Sequence, residues 1–598
     1  NADEPALRHA GVSYRAVSDP NSAPPATKPS ARGESAPPEH GISKPSARGE
    51  SAPPEHGISK PSARGGHAVF VAAGIFLSRI AGLVRERAIA HYLGNSAASD
   101  AFKAALKVPN FLQNLLGEGV LSASFIPVYA KLIAEKKEEE ARRVAGAFAA
   151  ILSMIVSAAV LIGVLLTPWL IDFIAPGFHG ATRLLTIRIV RILFPGIGLL
   201  VLYAWCLGVL NTHKQFFVSY VAPVLWNASM IATLLVFGTR MREADLAIAL
   251  SWGHVIGCAL QLMVQVPFIW KYAREFPFKP RLIAPVREVF RNLGPVIVGR
   301  GVVQLSAYID QIIASLLPTG SVASLSYAQT ISLLPVSLFG MSVAAAELPQ
   351  MASNVGTVEE INAALRKRLA RGLRQIAFFV VPTVVAFIAI GRLLVAGLYQ
   401  TGKFTSDDTL YVWYILLGST IGLLAMTLGR LYSSAFYALR DTKTPLYYAA
   451  ARVALTAGLG YLFAFPLNFL FVDLIHLLGM PLPVRAGAAG IGTVGLTASA
   501  GIAGWLEFLL LRRGLQRRIG PIDLPMSFPA RLWASATVAG LAAFALDRYA
   551  VSRFIARVPF THIAEAALAA GFFGVVYFAA AGALGVPEVR STLARLKR

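Results

Sequence analysis

Cysteine and charge are both scarce in this chain. Among 598 residues there are two cysteines, Cys206 and Cys258, each inside an apolar segment. A disulfide framework, a CxxC redox pair and a Cys-based zinc site are thereby excluded, and both thiols read as small packing residues. Charged residues make up only 15% of the sequence, against roughly 25% in an average soluble domain. Acids are the scarcer sign, leaving a formal net charge of +23. A nucleic-acid binder would spread such an excess over solvated faces, whereas here Lys and Arg punctuate long apolar runs, so nucleic acid is not an expected partner. The same punctuation fits a membrane protein, because a bilayer core about 30 Å thick takes roughly 20 apolar residues per helical span.

Residues 1–66 are rich in Pro, Ser, Ala and Gly, and KPSARGESAPPEHGIS occurs at Lys28 and again at Lys44. A perfect tandem 16-mer with few apolar residues cannot bury a core and is expected to be a disordered basic tail. Apolar segments follow at about 68–92, 101–130, 143–167, 184–210, 217–238, 245–270, 294–317, 322–348, 374–397, 410–437, 445–473, 487–511, 530–549 and 561–584. They are too long and too uniformly apolar for barrel strands, so the expected fold class is an all-α polytopic membrane protein with about fourteen transmembrane helices.

Basic residues alternate between the connections. One set of loops carries Lys131 to Arg143, Lys271 to Arg291, Arg366 to Arg374 and Arg512 to Arg518, while stretches such as His91 to Asp100 and Pro318 to Ser321 are nearly free of them. Because Lys and Arg concentrate on the cytoplasmic side, both termini are expected there. GNSAASDAFKAALKVP from Gly94 lines up with GSVASLSYAQTISLLP from Gly320, a spacing of 226 residues. Two related six-helix lobes flanking a central cavity is a transporter plan. It gives an N-lobe at 67–270, a basic linker at 271–292, a C-lobe at 293–485 with its last helix at 486–512, and two further helices with a basic tail at 513–598.

Ionisable residues inside spans are expensive and mark water-filled paths or partners. SRIAGLVRER places Arg79, Arg85 and Arg87 in the first span, and the last two could instead snorkel to an interface. SDAFKAALKVPN adds Asp100, Lys103 and Lys107 on one helix face, with Glu118 further along. Guanidinium and ammonium groups in a cavity suit a phosphorylated ligand; ion pairing of Asp100 and Glu118 with these cations is the plainer alternative. Asp310, an acid within an apolar span, is a candidate for ion or proton coupling, as is Asp441 beside Arg440 and Lys443. His254 reads as a packing histidine. GLYQTGKF from Gly397 nearly spells a P-loop, but Phe404 stands where a magnesium-holding hydroxyl belongs and the motif falls in a loop between spans. No HExxH or GxSxG occurs, and no enzyme activity and no cofactor are expected; coupling to Na+, H+ or the membrane potential is.

Seven segments, in order, resemble the MurJ (MviN) lipid II flippase family of the multidrug/oligosaccharidyl-lipid/polysaccharide exporter superfamily: SRIAGLVRE at Ser78, SDAFKAALKVPN at Ser99, EGVLSASFIPV at Glu118, PWLIDFIAPGF at Pro168, GVLNTHKQF at Gly208, YQTGKFTSDDT at Tyr399 and SAFYALRDTKTP at Ser434. The resemblance implies two lobes around a cationic cavity, a groove beside the last two helices for a polyprenyl chain, and inward-to-outward movement of a lipid-linked peptidoglycan precursor across the bacterial inner membrane. It implies that Arg79, Arg85 and Asp100 match polar cavity positions, that Lys107 matches a family lysine, and that Asp310 resembles an acidic position belonging to a sodium site in some members. Lipid II or a related polyprenyl-diphosphate glycolipid, membrane lipids and cell-wall synthesis proteins are the partners implied. The chain departs from the family at Gln113, Asn114, Gln329 and Thr330, where charged residues are usual, and Lys103 is expected to restore one cation. The other readings are a cation-coupled exporter of another lipid-linked oligosaccharide or an amphipathic drug, and a non-transporting scaffold working through loops such as Arg366 to Arg374.

Overall fold

A computed structural model describes residues 64–353, 357–484, 491–522, 525–551 and 561–596. The repeat-bearing segment, residues 1–63, lies outside them, and helix begins at Arg64, inside the expected tail. The first set of helices comprises α1 (Arg64–Leu93), α2 (Ala97–Leu116), α3 (Glu118–Ala134), α4 (Glu138–Ile174), α5 (Gly180–Thr212), α6 (Phe216–Phe237), α7 (Glu243–Met263) and the short α8 (Val266–Ala273). The span expected at 101–130 is α2 and α3, divided at Gly117, whose amide turns back to the Gln113 carbonyl at 2.7 Å. The second set comprises α9 (Ala284–Ser315), α10 (Ser321–Pro335) running through a π-helical turn at Val336–Met341 into α11 (Ser342–Ala352), then α12 (Val358–Ala389), the short α13 (Gly391–Tyr399), α14 (Ser406–Ala438), α15 (Lys443–Ala464), α16 (Phe469–Leu477) and α17 (Gly492–Ile519). Two more long helices, α18 (Ser527–Leu546) and α19 (Thr561–Ala583), and a terminal α20 (Pro587–Leu596) complete the described chain.

Among the described residues nine helices are long and apolar enough to cross a membrane, or ten if α15 and α16, bent by 66°, make one span. The other four expected spans are helical too: α1, α2 with α3, α6 and α9. α1 carries Arg79, Arg85, Glu86 and Arg87, α2 breaks from α3 at Gly117, and α9 carries Arg287, Glu288 and Arg291 near its start. α6 is apolar over Val221–Phe237. The bilayer-facing surface is plain on α4, which turns Met154, Leu161, Leu165, Trp169 and Phe173 outward. Lipid is the solvent such a surface requires, and a helix bonds its own backbone there.

Within the first set α1 packs on α6, α6 on α7, α7 on α5, and α5 on α2; within the second α9 packs on α15, α15 on α17, α17 on α14, and α14 on α10. Counted as spans, the neighbour order is the same in both, first, fifth, sixth, fourth, second, as two related six-helix lobes demand. The aligned glycines agree: Gly94 and Gly320 both take a left-handed φ, +55° and +93°, at the turn before α2 and α10, a conformation glycine adopts without steric cost. Close approach tightens the C-lobe: a Cβ on Gly422 of α14 would lie 2.3 Å from the Gly501 Cα of α17. Contact of this kind drives helix association where no hydrophobic effect operates. α18 and α19 pack on each other and on α12 and α13 around Phe378, Leu532, Phe573 and Tyr577, a cluster separate from the two-lobe core.

The connection between lobes is shorter than expected, because α8 and α9 occupy much of 271–292. Residues 274–283 cross the start of α4, where Arg142 pairs with Glu275 at 2.5 Å and a Cβ on Gly146 would meet the Pro277 carbonyl oxygen at 2.6 Å. The α3–α4, α8–α9, α11–α12 and α17–α18 junctions hold the arginine- and lysine-rich loops and form the basic end of the bundle. The α1–α2, α9–α10 and α13–α14 junctions form the opposite end.

Candidate functional site

α1 reaches the opposite end carrying Arg85 and Glu86 about two turns before its last residue. Glu86 is buried between two cations. Arg85 Nη2 lies 2.8 Å from its Oε1, and Lys103 of α2 pairs with its Oε2. The Arg85 guanidinium also donates to Asn227 Oδ1 at 3.0 Å and lies 4.6 Å over the Trp226 ring, while the Trp226 indole N–H donates to His254 Nδ1 at 3.2 Å. His254 is thus a packing residue, as its sequence context indicates, and it braces the ring that carries Arg85. The Lys103 ammonium lies 4.8 Å over the ring of Tyr327, a residue of α10 in the other lobe. Two cations and one carboxylate leave this buried cluster positive.

Glu86 escaped the sequence reading although the rule that found Arg79 and Asp310, an ionisable residue within an apolar run, applies to it equally. Its presence changes the role of Lys103: the ammonium is committed to Glu86, so it does not stand free in place of the charges absent at Gln113, Asn114, Gln329 and Thr330. The Thr330 hydroxyl is itself spent on the Ser326 carbonyl at 2.9 Å.

Arg79 is exposed between the lobes and donates to Ser337 Oγ, in the π-helical turn, at 2.8 Å. Lys107 and Asp310 face each other across the lobe boundary within electrostatic reach, and the Tyr308 hydroxyl donates to the Lys107 carbonyl at 2.7 Å. Asp310 Oδ1 is shut off from solvent with no hydrogen-bond donor among the described residues. Arg452 of α15 also acts on Asp310. It pairs with Glu507 of α17 at 2.9 Å, and Arg430 of α14 lies within reach of both. This second Arg–Glu–Arg group, again positive, was also missed by the sequence reading and carries the same signal of charge within apolar spans.

Asp100 is buried at the opposite end, where Oδ2 accepts from the Gly320 amide at 2.5 Å and Oδ1 from the Ala323 amide at 2.7 Å, closing the first turn of α10. Glu118 opens α3, but its side chain lies outside the described residues. Asp441 sits in the turn from α14 to α15, accepting from the Lys443 and Thr444 amides at 3.0 Å and the Thr444 hydroxyl at 2.6 Å, with Arg518 at 2.7 Å. Partial burial pushes its carboxyl up, but the Thr444 bonds and the Arg518 guanidinium outweigh that and hold it at about 2.

The P-loop-like segment has a structural role. From the C-lobe it grips the end of α1: Arg87 Nη1 donates to the Gly397 and Leu398 carbonyls at 2.6 and 3.0 Å, His91 Nδ1 lies 2.8 Å from Thr401 Oγ1, and the Lys403 amide donates to the His91 carbonyl at 2.9 Å. Lys403 Nζ pairs with Glu243 of α7 at 2.8 Å, and Asn95 Nδ2 donates to Asp408 at 3.1 Å. Gly402, at φ +54°, passes so near that a Cβ would lie 2.4 Å from the His91 carbonyl oxygen. The two lobes are therefore fastened together at the opposite end.

The family described as "Lipid II flippase MurJ" matches residues 89–560. The chain is 30% identical over 456 residues to the lipid II flippase MurJ of Burkholderia cenocepacia, covering 75% of this chain and 83% of that one. It is 31% identical over 451 residues to the probable lipid II flippase MurJ of Rhizobium tropici, covering 74% and 79%. Its fold is similar to a solved lipid II flippase MurJ in an inward closed conformation, with a TM-score of 0.66 at 23% identity over 86% of this chain and 98% of that one. An inward-facing multidrug resistance MATE transporter of the MOP superfamily shares the fold at a TM-score of 0.56 and 18% identity, over 75% of this chain and 98% of that one. The two six-helix lobes, the two added helices and a family match running from the end of α1 to beyond α18 agree: this chain belongs to the lipid II flippase MurJ family.

Proposed function

We propose that the chain is a lipid II flippase of the bacterial cytoplasmic membrane, moving the polyprenyl-diphosphate-linked precursor from the inner to the outer leaflet by alternating access. The observation that carries this reading is the buried, net positive cluster of Arg85, Glu86 and Lys103, with Arg79 and Lys107 near it, inside an otherwise apolar bundle. Cations held in a low-dielectric enclosure attract a diphosphate far more strongly than they would in water. The basic end is read as cytoplasmic, with both termini on that side. In the cycle, the diphosphate engages Arg79 and Lys107 between the lobes while the prenyl tail remains in lipid. Rocking then breaks the fastening at the opposite end and releases the headgroup there.

The reading is of transport without covalent chemistry. Asp310 is the position through which a coupling cation or proton would act, since its Oδ1 is buried and has no donor among the described residues; Asp441 is spent on its turn and on Arg518. The membrane potential supplies about 2.3 kcal/mol per elementary charge per 100 mV, enough to bias the cycle. Complementation of a bacterium depleted of its own lipid II flippase is the test, with Arg79→Ala at matched membrane level. Rescue by wild type and not by Arg79→Ala is expected; absence of rescue by wild-type protein present in the membrane overturns the reading.

A further inference from the structure

Arg430 lies eight residues before the end of α14, so its Cα sits about 12 Å from the basic end. Its helix, 33 residues and roughly 50 Å long, exceeds a hydrocarbon core of about 30 Å. That excess puts Arg430 near the level where headgroup phosphates meet the acyl chains on the basic side. The residue is exposed, yet the charges acting on it are Arg452 and Glu507, which are largely buried between α15 and α17. Its guanidinium is therefore within electrostatic reach of that pair while remaining open to a ligand. Glu507 is close enough to Arg452 to neutralise it, which leaves Arg430 as the group able to offer its guanidinium fork outward. Arg452 in turn acts on Asp310, and Asp310 on Lys107. Charges of alternating sign thus run from Arg430 in the basic third of the C-lobe to Lys107 in the N-lobe, whose Cα is about 15 Å from the opposite end of α2.

We propose that Arg430 is the entry contact for the cargo's phosphate, a specificity-determining residue that receives the anion at the basic side before it passes to Lys107 and Arg79. This rests on the flippase reading. Arginine suits the task because its planar fork binds two phosphate oxygens at once and its charge survives any local environment. Arg452 is a positioning residue: with Glu507 paired to it, it repels Arg430 only weakly and leaves its fork free.

The test uses full-length protein in phosphatidylcholine nanodiscs, with binding of lipid II and of sugar-free undecaprenyl diphosphate measured for wild type, Arg430→Ala, Arg430→Lys, Glu507→Gln and Arg79→Ala. The expected result is that Arg430→Ala weakens both ligands about tenfold, the effect of one charge-assisted hydrogen bond, that Lys restores part of it, and that Glu507→Gln tightens both by unmasking Arg452. Added phosphatidylglycerol is expected not to compete. The proposal is overturned if Arg430→Ala binds both ligands like wild type while Arg79→Ala does not. It is equally overturned if only lipid II is weakened, which places Arg430 on the sugar or peptide, or if phosphatidylglycerol displaces the ligands through Arg430, which makes it a bulk-lipid anchor. Wild type that binds neither ligand removes the flippase reading first, an outcome distinct from all of these.

Discussion

The carboxylate of Asp100 in the N-lobe closes the first turn of α10 in the C-lobe, its two oxygens 2.5 and 2.7 Å from the amides of Gly320 and Ala323. A negative side chain at a helix N-terminus is favoured by both the free amides and the helix dipole, and here the bond crosses the boundary between the moving parts. Asp100→Ala should cost the closed opposite end about 1–2 kcal/mol, raising its open population about tenfold. Spin-label distances across the α1–α2 and α9–α10 junctions measure this; an unchanged distance distribution would count against the coupling.

Substitutions at the cavity should separate by the partner each residue keeps. Arg79→Ala removes an exposed cation and Lys107→Ala the cation facing Asp310, and both should abolish rescue in the complementation assay, whereas Gln113→Arg adds a cation and should be tolerated. Equal activity in all three variants would refute the cavity assignment.

Glu86→Ala should be costly for another reason. It strands Lys103 and one face of Arg85 in a buried site, and breaking a buried pair from one side costs about 3–5 kcal/mol. Glu86→Gln with Lys103→Met, which removes both charges of the pair, should recover most of the melting temperature of the solubilised protein. If the double variant melts no higher than Glu86→Ala, Glu86 is not held by that pairing.

The Asp441 turn has a pH signature. Its carboxyl, held at about 2 against an ordinary 3.8, contributes stability that is present above about pH 4 and lost as pH falls toward 2. The melting temperature of wild type should exceed that of Asp441→Asn near neutral pH, and the two should converge at pH 2. A gap that persists unchanged at pH 2 would show that geometry and not charge holds the turn.

Lys403→Ala should leave the charge of Glu243 unpaired at an exposed site and weaken closure by about 0.2–1 kcal/mol, a small effect suppressed further by salt. Arg87→Ala removes two charge-assisted bonds to carbonyls and should open the same end by more. Solvent accessibility of a cysteine placed at Thr401 ranks the two; the reverse order would place the main fastening at Glu243.

Hydrophobic run length and loop charge disclosed the architecture from sequence because a bilayer imposes them on every span independently of its partners. The repeat read at Gly94 and Gly320 was legible for a similar reason, since both turns need the same left-handed residue. What stayed hidden were relationships across helices. Nothing in the order SRIAGLVRER says that Glu86 will meet Lys103 or that Trp226 will carry Arg85, because those pairings depend on which faces α1, α2 and α6 present to one another. Arg430, Arg452 and Glu507 sit on three separate spans, each tolerable alone as an interfacial charge, and only the packing of α14, α15 and α17 makes them a group. The π-helical turn that brings Ser337 to Arg79 likewise follows from no local sequence signal.

The fastening at the opposite end divides its labour unevenly. Arg87 and Asp100 supply side chains from the N-lobe, whereas what they grasp in the C-lobe is main chain: the Gly397 and Leu398 carbonyls and the Gly320 and Ala323 amides. A peptide group cannot be mutated away. At these two residues the N-lobe half of the lock can thus be lost to single-codon changes while the C-lobe half persists as long as its backbone keeps its course, whereas the Lys403–Glu243 and Asn95–Asp408 contacts can be lost from either lobe. Variants that prop this gate open through the main-chain contacts should therefore arise at Arg87 and Asp100 and not at the C-lobe positions they grasp.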